Sequence, residues 1–208
     1  MKPSVDVLIQ QAQLAEREGR REDARLMYER ALYSLRRSED GVLASSLLRW
    51  IGRTYQLDAD LGAALDCLDA AIAIAELAGD VGAIGHAINI QAVVYQQDGD
   101  LDKAEALWGE ARTHAIAAGE TRLAAMTAQN LGVISAVRGD HEKTLRHYRT
   151  SLAEFRTLGA PKEVLIAPNN MGKLCTDLER WDDAMRAFEE ATQFADAIGD
   201  IPLRVVIE

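Results

Sequence analysis

Residues 121–160 read TRLAAMTAQNLGVISAVRGDHEKTLRHYRTSLAEFRTLGA, and this stretch predicts the fold of the whole chain. It ends on a glycine-containing pair, and such pairs recur every 40 residues at Gly79-Asp80, Gly119-Glu120, Gly159-Ala160 and Gly199-Asp200. A fixed period of this length indicates one structural unit repeated about five times. Arrays of this kind usually act through an extended surface, because they have no single central core that could enclose a pocket.

Side-chain size repeats in phase with the glycines. Residues 40 positions apart form columns, and one column is small throughout: Ala12, Gly52, Ala92, Gly132, Gly172. Another column is bulky throughout: Tyr28, Leu68, Trp108, Tyr148, Phe188. Small residues let two helix backbones approach closely, and a bulky side chain fills the remaining gap between neighbours. The two columns therefore predict that helices pack against each other in the same way in every unit.

Each unit has the pattern of two helices joined by a tight turn. Leu145, Tyr148, Leu152 and Phe155 fall at helical spacing, and a glycine followed by aspartate, as at 99–100, closes one helix and caps the next. Proline at position 168 should kink or split the helix that contains it. The predicted helices span 4–18, 21–37, 42–57, 60–78, 81–97, 101–118, 121–138, 141–158, 161–178 and 181–198.

The pattern resembles the tetratricopeptide (TPR) repeat, in a long variant of about 40 residues found in bacterial regulators. The residues that carry the resemblance are Ile51-Gly52, Tyr55, Ala64 and Ala71; Asn130-Leu131-Gly132, Gly139-Asp140, Tyr148 and Ser151-Leu152; Asn170-Met171-Gly172, Trp181, Ala184, Phe188 and Ala191. The resemblance implies an all-α, right-handed superhelical solenoid of about five TPR-type helix-turn-helix repeats plus a partial sixth helix. A single domain would then cover 1–208, with repeats at 1–40, 41–80, 81–120, 121–160 and 161–200, and 201–208 would begin a further helix.

In that family the first helix of each repeat lines a concave groove, which implies a binding surface here. Its columns are rich in side-chain amides, which both donate and accept hydrogen bonds, and they also hold cationic and apolar residues. We expect a protein or an extended peptide as partner, carrying an acidic group and an apolar anchor. The alternative is that the amides only solvate an unused face or cap neighbouring helices. The predicted groove residues are Arg49, Trp50, Arg53, His86, Asn89, Gln96, Met126, Gln129, Asn130, Asn169, Asn170 and Lys173.

The family's carboxylate clamp, which grips acidic C-termini of chaperones, is not predicted. The comparable positions in three consecutive repeats hold Arg49 and Arg53, then Ile90, then Met126 and Asn130, so several required residues are missing.

Composition and charge narrow the classes of function. The net charge is −10, and no sustained basic face is visible, which argues against direct nucleic-acid binding. No apolar run is long enough to cross a membrane, and the first residues lack the apolar core of a signal peptide, so we expect a cytoplasmic protein. The two cysteines, Cys67 and Cys175, are too few and too separated to form a disulfide framework, and we expect reduced thiols.

Motifs for catalysis are missing from the sequence. The four histidines never occur at the i, i+4 spacing of a helical zinc pair, and the glycines sit at helix ends rather than in a phosphate-binding loop. We therefore expect no enzymatic activity, no metal and no cofactor. Three functions stay open: a non-catalytic protein- or peptide-binding scaffold, a ligand- or peptide-sensing regulatory domain of a longer bacterial signalling or transcription regulator, and a homo-oligomer assembled through its terminal helices.

Overall fold

The computed structural model describes residues 3–35, 41–160 and 163–198, with side chains up to residue 194. These residues form ten α-helices, one 3₁₀ turn at Glu163–Leu165, and no strand. The all-α prediction is confirmed. The helices are α1 Val5–Arg17, α2 Arg21–Ser34, α3 Gly41–Leu57, α4 Leu61–Ala78, α5 Val81–Asp98, α6 Leu101–Ala117, α7 Thr121–Val137, α8 His141–Thr157, α9 Ile166–Asp177 and α10 Trp181–Ile198.

Consecutive helices pack as pairs, and the chain divides into two compact units. In the first unit, Met1–Ala118, helices α1 and α2, α3 and α4, and α5 and α6 form three pairs. Each pair also packs on the next, through α2 with α3 and α4 with α5. In the second unit, Gly119–Glu208, the pairs are α7 with α8 and α9 with α10, and α8 packs on α9. This is the helix-pair arrangement that the 40-residue period predicts.

The predicted columns lie where neighbouring helices meet. In the first unit the bulky residues Tyr28, Leu68 and Trp108 are at most 1% exposed. In the second unit a Cβ placed on Gly132 would lie 2.6 Å from the Tyr148 ring, and one on Gly172 would lie 2.5 Å from the Phe188 ring. The small column thus allows the backbone of each first helix to approach the bulky residue of its own repeat. None of the described helices is long and apolar enough to cross a membrane.

The fifth repeat departs from the others at its first helix. The sequence predicts that helix over 161–178, but α9 begins at Ile166 and is preceded by the 3₁₀ turn at Glu163–Leu165. Pro168 lies in the first turn of α9, where its missing N–H leaves no intrahelical hydrogen bond unmade. The expected interruption is therefore found before the proline, where the 3₁₀ turn gives way to α9, and α9 itself continues through Pro168. The predicted helix start at 201–208 lies outside the described residues.

Two turns use a residue other than glycine in the left-handed conformation. Among the described residues, six turn glycines have positive φ, and Ala59 and Glu179 adopt φ of 60° and 56° at the equivalent places. A side chain in this region costs about 1–2 kcal/mol, because Cβ approaches the following carbonyl oxygen. The turn geometry is therefore imposed at these two positions by the packing of the flanking helices.

Replacing Ala59 with glycine is expected to raise the free energy of unfolding by up to about 1 kcal/mol. The substitution removes the Cβ strain at φ 60°, and the greater flexibility of glycine in the unfolded chain offsets part of the gain. Gly99→Ala is the reciprocal control: at φ 89° it should lower the stability by about 1–2 kcal/mol. Urea unfolding followed by circular dichroism measures both. If Ala59→Gly is less stable than the wild type, the predicted backbone strain at Ala59 is wrong.

Candidate binding surface on the first helices

Three residues of the predicted groove form one site with residues of the first repeat. Trp50 and Arg53 of α3 line a cleft of about 390 Å³, and Arg49 lies beside them against the Trp50 ring. We call this site the α1–α3 cleft; its lining residues are Gln13, Glu16, Arg17, Tyr28, Trp50 and Arg53. The packing of α2 on α3 brings the first-repeat residues to this place.

A carboxylate lies at the floor of the α1–α3 cleft. The Tyr28 hydroxyl donates to Oε2 of Glu16 at 2.8 Å. Oε1 of Glu16 lies 3.6 Å from Nη2 of Arg53 and accepts no hydrogen bond. Burial raises the pKa of the Tyr28 hydroxyl well above its ordinary value, and the hydrogen bond to Glu16 adds to this. Tyr28 therefore acts as a hydrogen-bond donor that holds Glu16 in place.

Aromatic and cationic groups form the wall of the cleft. The rings of Tyr28 and Trp50 lie 5.3 Å apart between centroids and are tilted by 34°. The guanidinium carbon of Arg49 lies 5.5 Å from the Trp50 ring centroid, within the range of a cation–π contact. These contacts fix Trp50 between two neighbours, so its ring presents a pre-organised apolar surface.

The Nε atom of Arg49 is buried and has no hydrogen-bond partner. Burial lowers the pKa of the Arg49 guanidinium from its ordinary value, and the positive charge of Arg53 adds to the decrease. Tyr28 and Glu16 act in the opposite direction. A buried donor without an acceptor costs about 1–3 kcal/mol.

The other predicted residues of the first unit lie on α5. Asn89 is buried, and its Oδ1 accepts a hydrogen bond of 3.2 Å from Nε1 of Trp108. Its carbonyl oxygen is therefore occupied by packing within its own repeat. His86 and Gln96 are half-buried on the same helix.

In the second unit the predicted residues lie on α7 and α9. Met126 is 41% exposed, and Lys173 is exposed as well. Asn170 hydrogen-bonds the Tyr148 hydroxyl; this bond lowers the pKa of Tyr148, but burial has the larger effect and raises it. Oδ1 of Asn169 is buried and has no partner. Gln129 and Asn130 are half-buried on α7.

The residues selected from the sequence for this surface include none of the first repeat. Tyr28 is not among the predicted groove residues, because its bulky column was interpreted as packing only, whereas Glu16 lies in the predicted groove column of Gln96 but was not selected from it. A signal was present for Glu16: in its column, with Gln56, Gln96, Ala136 and Thr176, it is the only charged residue.

Comparison with known proteins identifies the repeat. Residues 123–197 match the tetratricopeptide repeat family. Residues 123–197 therefore resemble tetratricopeptide repeats in sequence. Over 103 residues the chain is 29% identical to Protein KINESIN LIGHT CHAIN-RELATED 2 of Arabidopsis thaliana. The matched region covers 48% of this chain and 16% of that protein. The TPR assignment made from sequence is confirmed.

Solved structures extend the TPR likeness to almost the whole chain. The structure of BtubC (BKLC) from P. vanneervenii has a TM-score of 0.76 at 20% identity, covering 91% of this chain and 78% of that one. The Rap conjugation gene regulator of the plasmid pLS20, solved with the Phr* peptide, has a TM-score of 0.77 at 16% identity. It covers 96% of this chain, which spans 55% of the regulator. At these identities the likeness shows the TPR fold alone.

Proposed function

We propose that this chain is a non-catalytic scaffold that binds a protein or an extended peptide through its first helices. The observation that carries the proposal is where its unsatisfied polar atoms lie. Among the described residues, four buried side-chain atoms lack a hydrogen-bond partner: Glu16 Oε1, Arg49 Nε, Asn169 Oδ1 and Ser151 Oγ. Three of the four lie on first helices, in columns predicted from the TPR resemblance to line the groove. Native proteins rarely leave such atoms unpaired, and a bound partner would satisfy them.

A peptide suits these positions chemically. Its backbone offers both acceptors and donors, and the unpaired atoms include one donor, on Arg49, and two acceptors, on Glu16 and Asn169. Trp50 in the first unit and the partly exposed Met126 in the second unit each offer an apolar contact. An acidic group of the ligand would find a cation at Lys173, which is exposed on α9.

Similarity to a structure that holds a peptide supports a peptide ligand for this chain. The Rap regulator was solved with a peptide, and its fold resembles this one over 96% of the chain. The same comparison supports the second function, a peptide-sensing regulatory domain, because the Rap protein is a gene regulator solved with a peptide. Cytoplasmic location, assembly through terminal helices and the absence of a nucleic-acid partner stay predictions.

Alanine substitutions on the first helices are expected to weaken peptide binding by about tenfold or more, which corresponds to ~1.4 kcal/mol. The probe is a dodecapeptide selected against the wild-type chain from a randomised display library. The test variant is Arg53→Ala, Met126→Ala, Gln129→Ala. Isothermal titration calorimetry gives the Kd, and circular dichroism checks that helicity is unchanged.

A matched control carries the same residue types on second helices: Arg146→Ala, Met185→Ala, Gln193→Ala. Met185 is 62% exposed, so the control removes at least as much accessible methionine as the test variant. The control should bind like the wild type. Equal weakening in both variants would contradict the first-helix surface, and failure of any peptide to be selected would contradict peptide binding itself.

A further inference from the structure

Glu16 and Arg53 face each other in the α1–α3 cleft without forming a direct hydrogen bond. The distance from Oε1 to Nη2 is 3.6 Å, whereas charged N–H···O bonds are about 2.7–2.9 Å long. Arg53 is held loosely, since 48% of its side chain is exposed. Oε2 of Glu16 is occupied by Tyr28, and Oε1 is buried without a hydrogen-bond partner, so a ligand reaches that acceptor only when the exposed Arg53 side chain moves aside.

The charges of the cleft disfavour a charged ligand group between these two side chains. A carboxylate that contacts Arg53 there also meets Glu16, and two carboxylates in a partly desolvated site repel strongly. An ammonium group that contacts Glu16 meets Arg53, with Arg17 in the lining and Arg49 beside Trp50. A carboxamide is neutral and carries a donor and an acceptor a few ångströms apart.

We infer that the α1–α3 cleft recognises a neutral carboxamide of the bound peptide, which donates its N–H to Glu16 Oε1 and accepts a hydrogen bond from Arg53. The exposed Arg53 side chain rotates outward to admit the group. The ring of Trp50, which is half-buried in the same cleft, contacts the methylene groups next to the amide, and the buried Tyr28 ring packs behind it. This inference rests on the proposed peptide-binding function and specifies the ligand chemistry at one part of it.

The carboxamide has two possible sources, the side chain of glutamine or asparagine and the main chain of the peptide. Glu16 is the residue that sets the preference. Glu16→Gln keeps an oxygen to accept from Tyr28 but removes the negative charge, so the three arginines of the site then favour a carboxylate. The substitution should therefore convert a glutamine preference into a glutamate preference.

The experiment uses pools of N-acetylated, C-amidated dodecapeptides with randomised flanks and a fixed central residue. The central residue is Gln, Asn, Glu, Lys or Ala, and enrichment on the immobilised full chain is measured for each pool. We expect the wild type to enrich Gln or Asn over Glu by about tenfold, as in sites that depend on a hydrogen-bonding partner. Glu16→Gln should enrich Glu over Gln, and the surface control Glu18→Gln should match the wild type.

Arg53→Gln is a second variant. Arg53 is exposed, so we expect this substitution to leave the fold unchanged. It should reduce the Gln enrichment without increasing that of Glu, because the introduced amide donates weakly and carries no charge. A third pattern would also support the inference. If the wild type rejects Glu but enriches Gln and Ala equally, and Glu16→Gln no longer rejects Glu, the carboxamide belongs to the peptide backbone.

Two results overturn the inference while leaving the proposed function intact. One is enrichment of Glu or Lys over Gln by the wild type, and the other is a Glu16→Gln profile identical to that of the wild type. If no pool is retained by the wild type above the background of an unrelated protein, the proposed peptide-binding function fails, and the inference fails with it.

Discussion

Replacing Gly132 with leucine is expected to lower the free energy of unfolding by about 3 kcal/mol or more. A Cβ at this position would lie 2.6 Å from Cε1 and 2.7 Å from Cδ1 of Tyr148. Real Cβ atoms do not approach ring carbons this closely, so α7 and α8 must separate. Tyr148 also receives a hydrogen bond from Asn170, which ties its ring to α9 and limits how far it can move.

Gly109→Leu is the control for this prediction. Gly109 lies in α6, and a Cβ there would meet no atom within 4 Å. Leucine has the higher helix propensity, so this control should raise stability by about 0.5–1 kcal/mol. Urea unfolding followed by far-ultraviolet circular dichroism compares the two variants. An unchanged unfolding midpoint for Gly132→Leu would contradict the close contact of α7 with Tyr148.

Replacing Trp108 with alanine is expected to lower the free energy of unfolding by about 3–5 kcal/mol. Trp108 is 1% exposed, so the substitution leaves a large cavity between α5 and α6. It also removes the donor to Oδ1 of Asn89, a buried residue, and an unpaired buried acceptor adds about 1–3 kcal/mol. The two losses occur at the same place and are not strictly additive.

Trp181→Ala provides the control with the same change of residue. Trp181 is 59% exposed at the start of α10, so its loss should change stability by less than about 1 kcal/mol. Thermal unfolding by circular dichroism gives the comparison. Equal shifts of Tm in the two variants would show that Trp108 is not the main packing residue of its repeat. Because repeat arrays unfold in part repeat by repeat, the comparison uses the fraction of helix lost as well as Tm.

The fold could be predicted from the sequence because local and repeated signals agree. The 40-residue period, the small and bulky columns and the turn residues are all visible along the chain, and each depends on neighbours only a few residues or one repeat away. The start of α9 could be predicted less well. The proline indicates a break, but only the packing of the fifth repeat places the new start at Ile166.

The sequence predicted which columns of residues face the groove, but it did not predict which residues within a column are free to bind a ligand. Asn89 and Asn169 share a column, yet Asn89 is hydrogen-bonded to Trp108 while the Asn169 oxygen has no partner. The difference follows from the bulky column, where the fifth repeat has Phe188, which has no hydrogen-bond donor. The pairing of Glu16 with Arg53 joins residues 37 positions apart, on different repeats, and no local pattern indicates it.

By itself the sequence determined the repeat, its period, the helical character of every unit and the columns that can face a partner. Side-chain size and spacing are enough for these features, since helix pairing depends on periodic contacts. Only the tertiary structure decided which small residues must be glycine, which polar groups stay unpaired and where a carboxylate meets arginine. Those outcomes depend on distances of a few tenths of an ångström between helices, and the order of residues along the chain does not contain such distances.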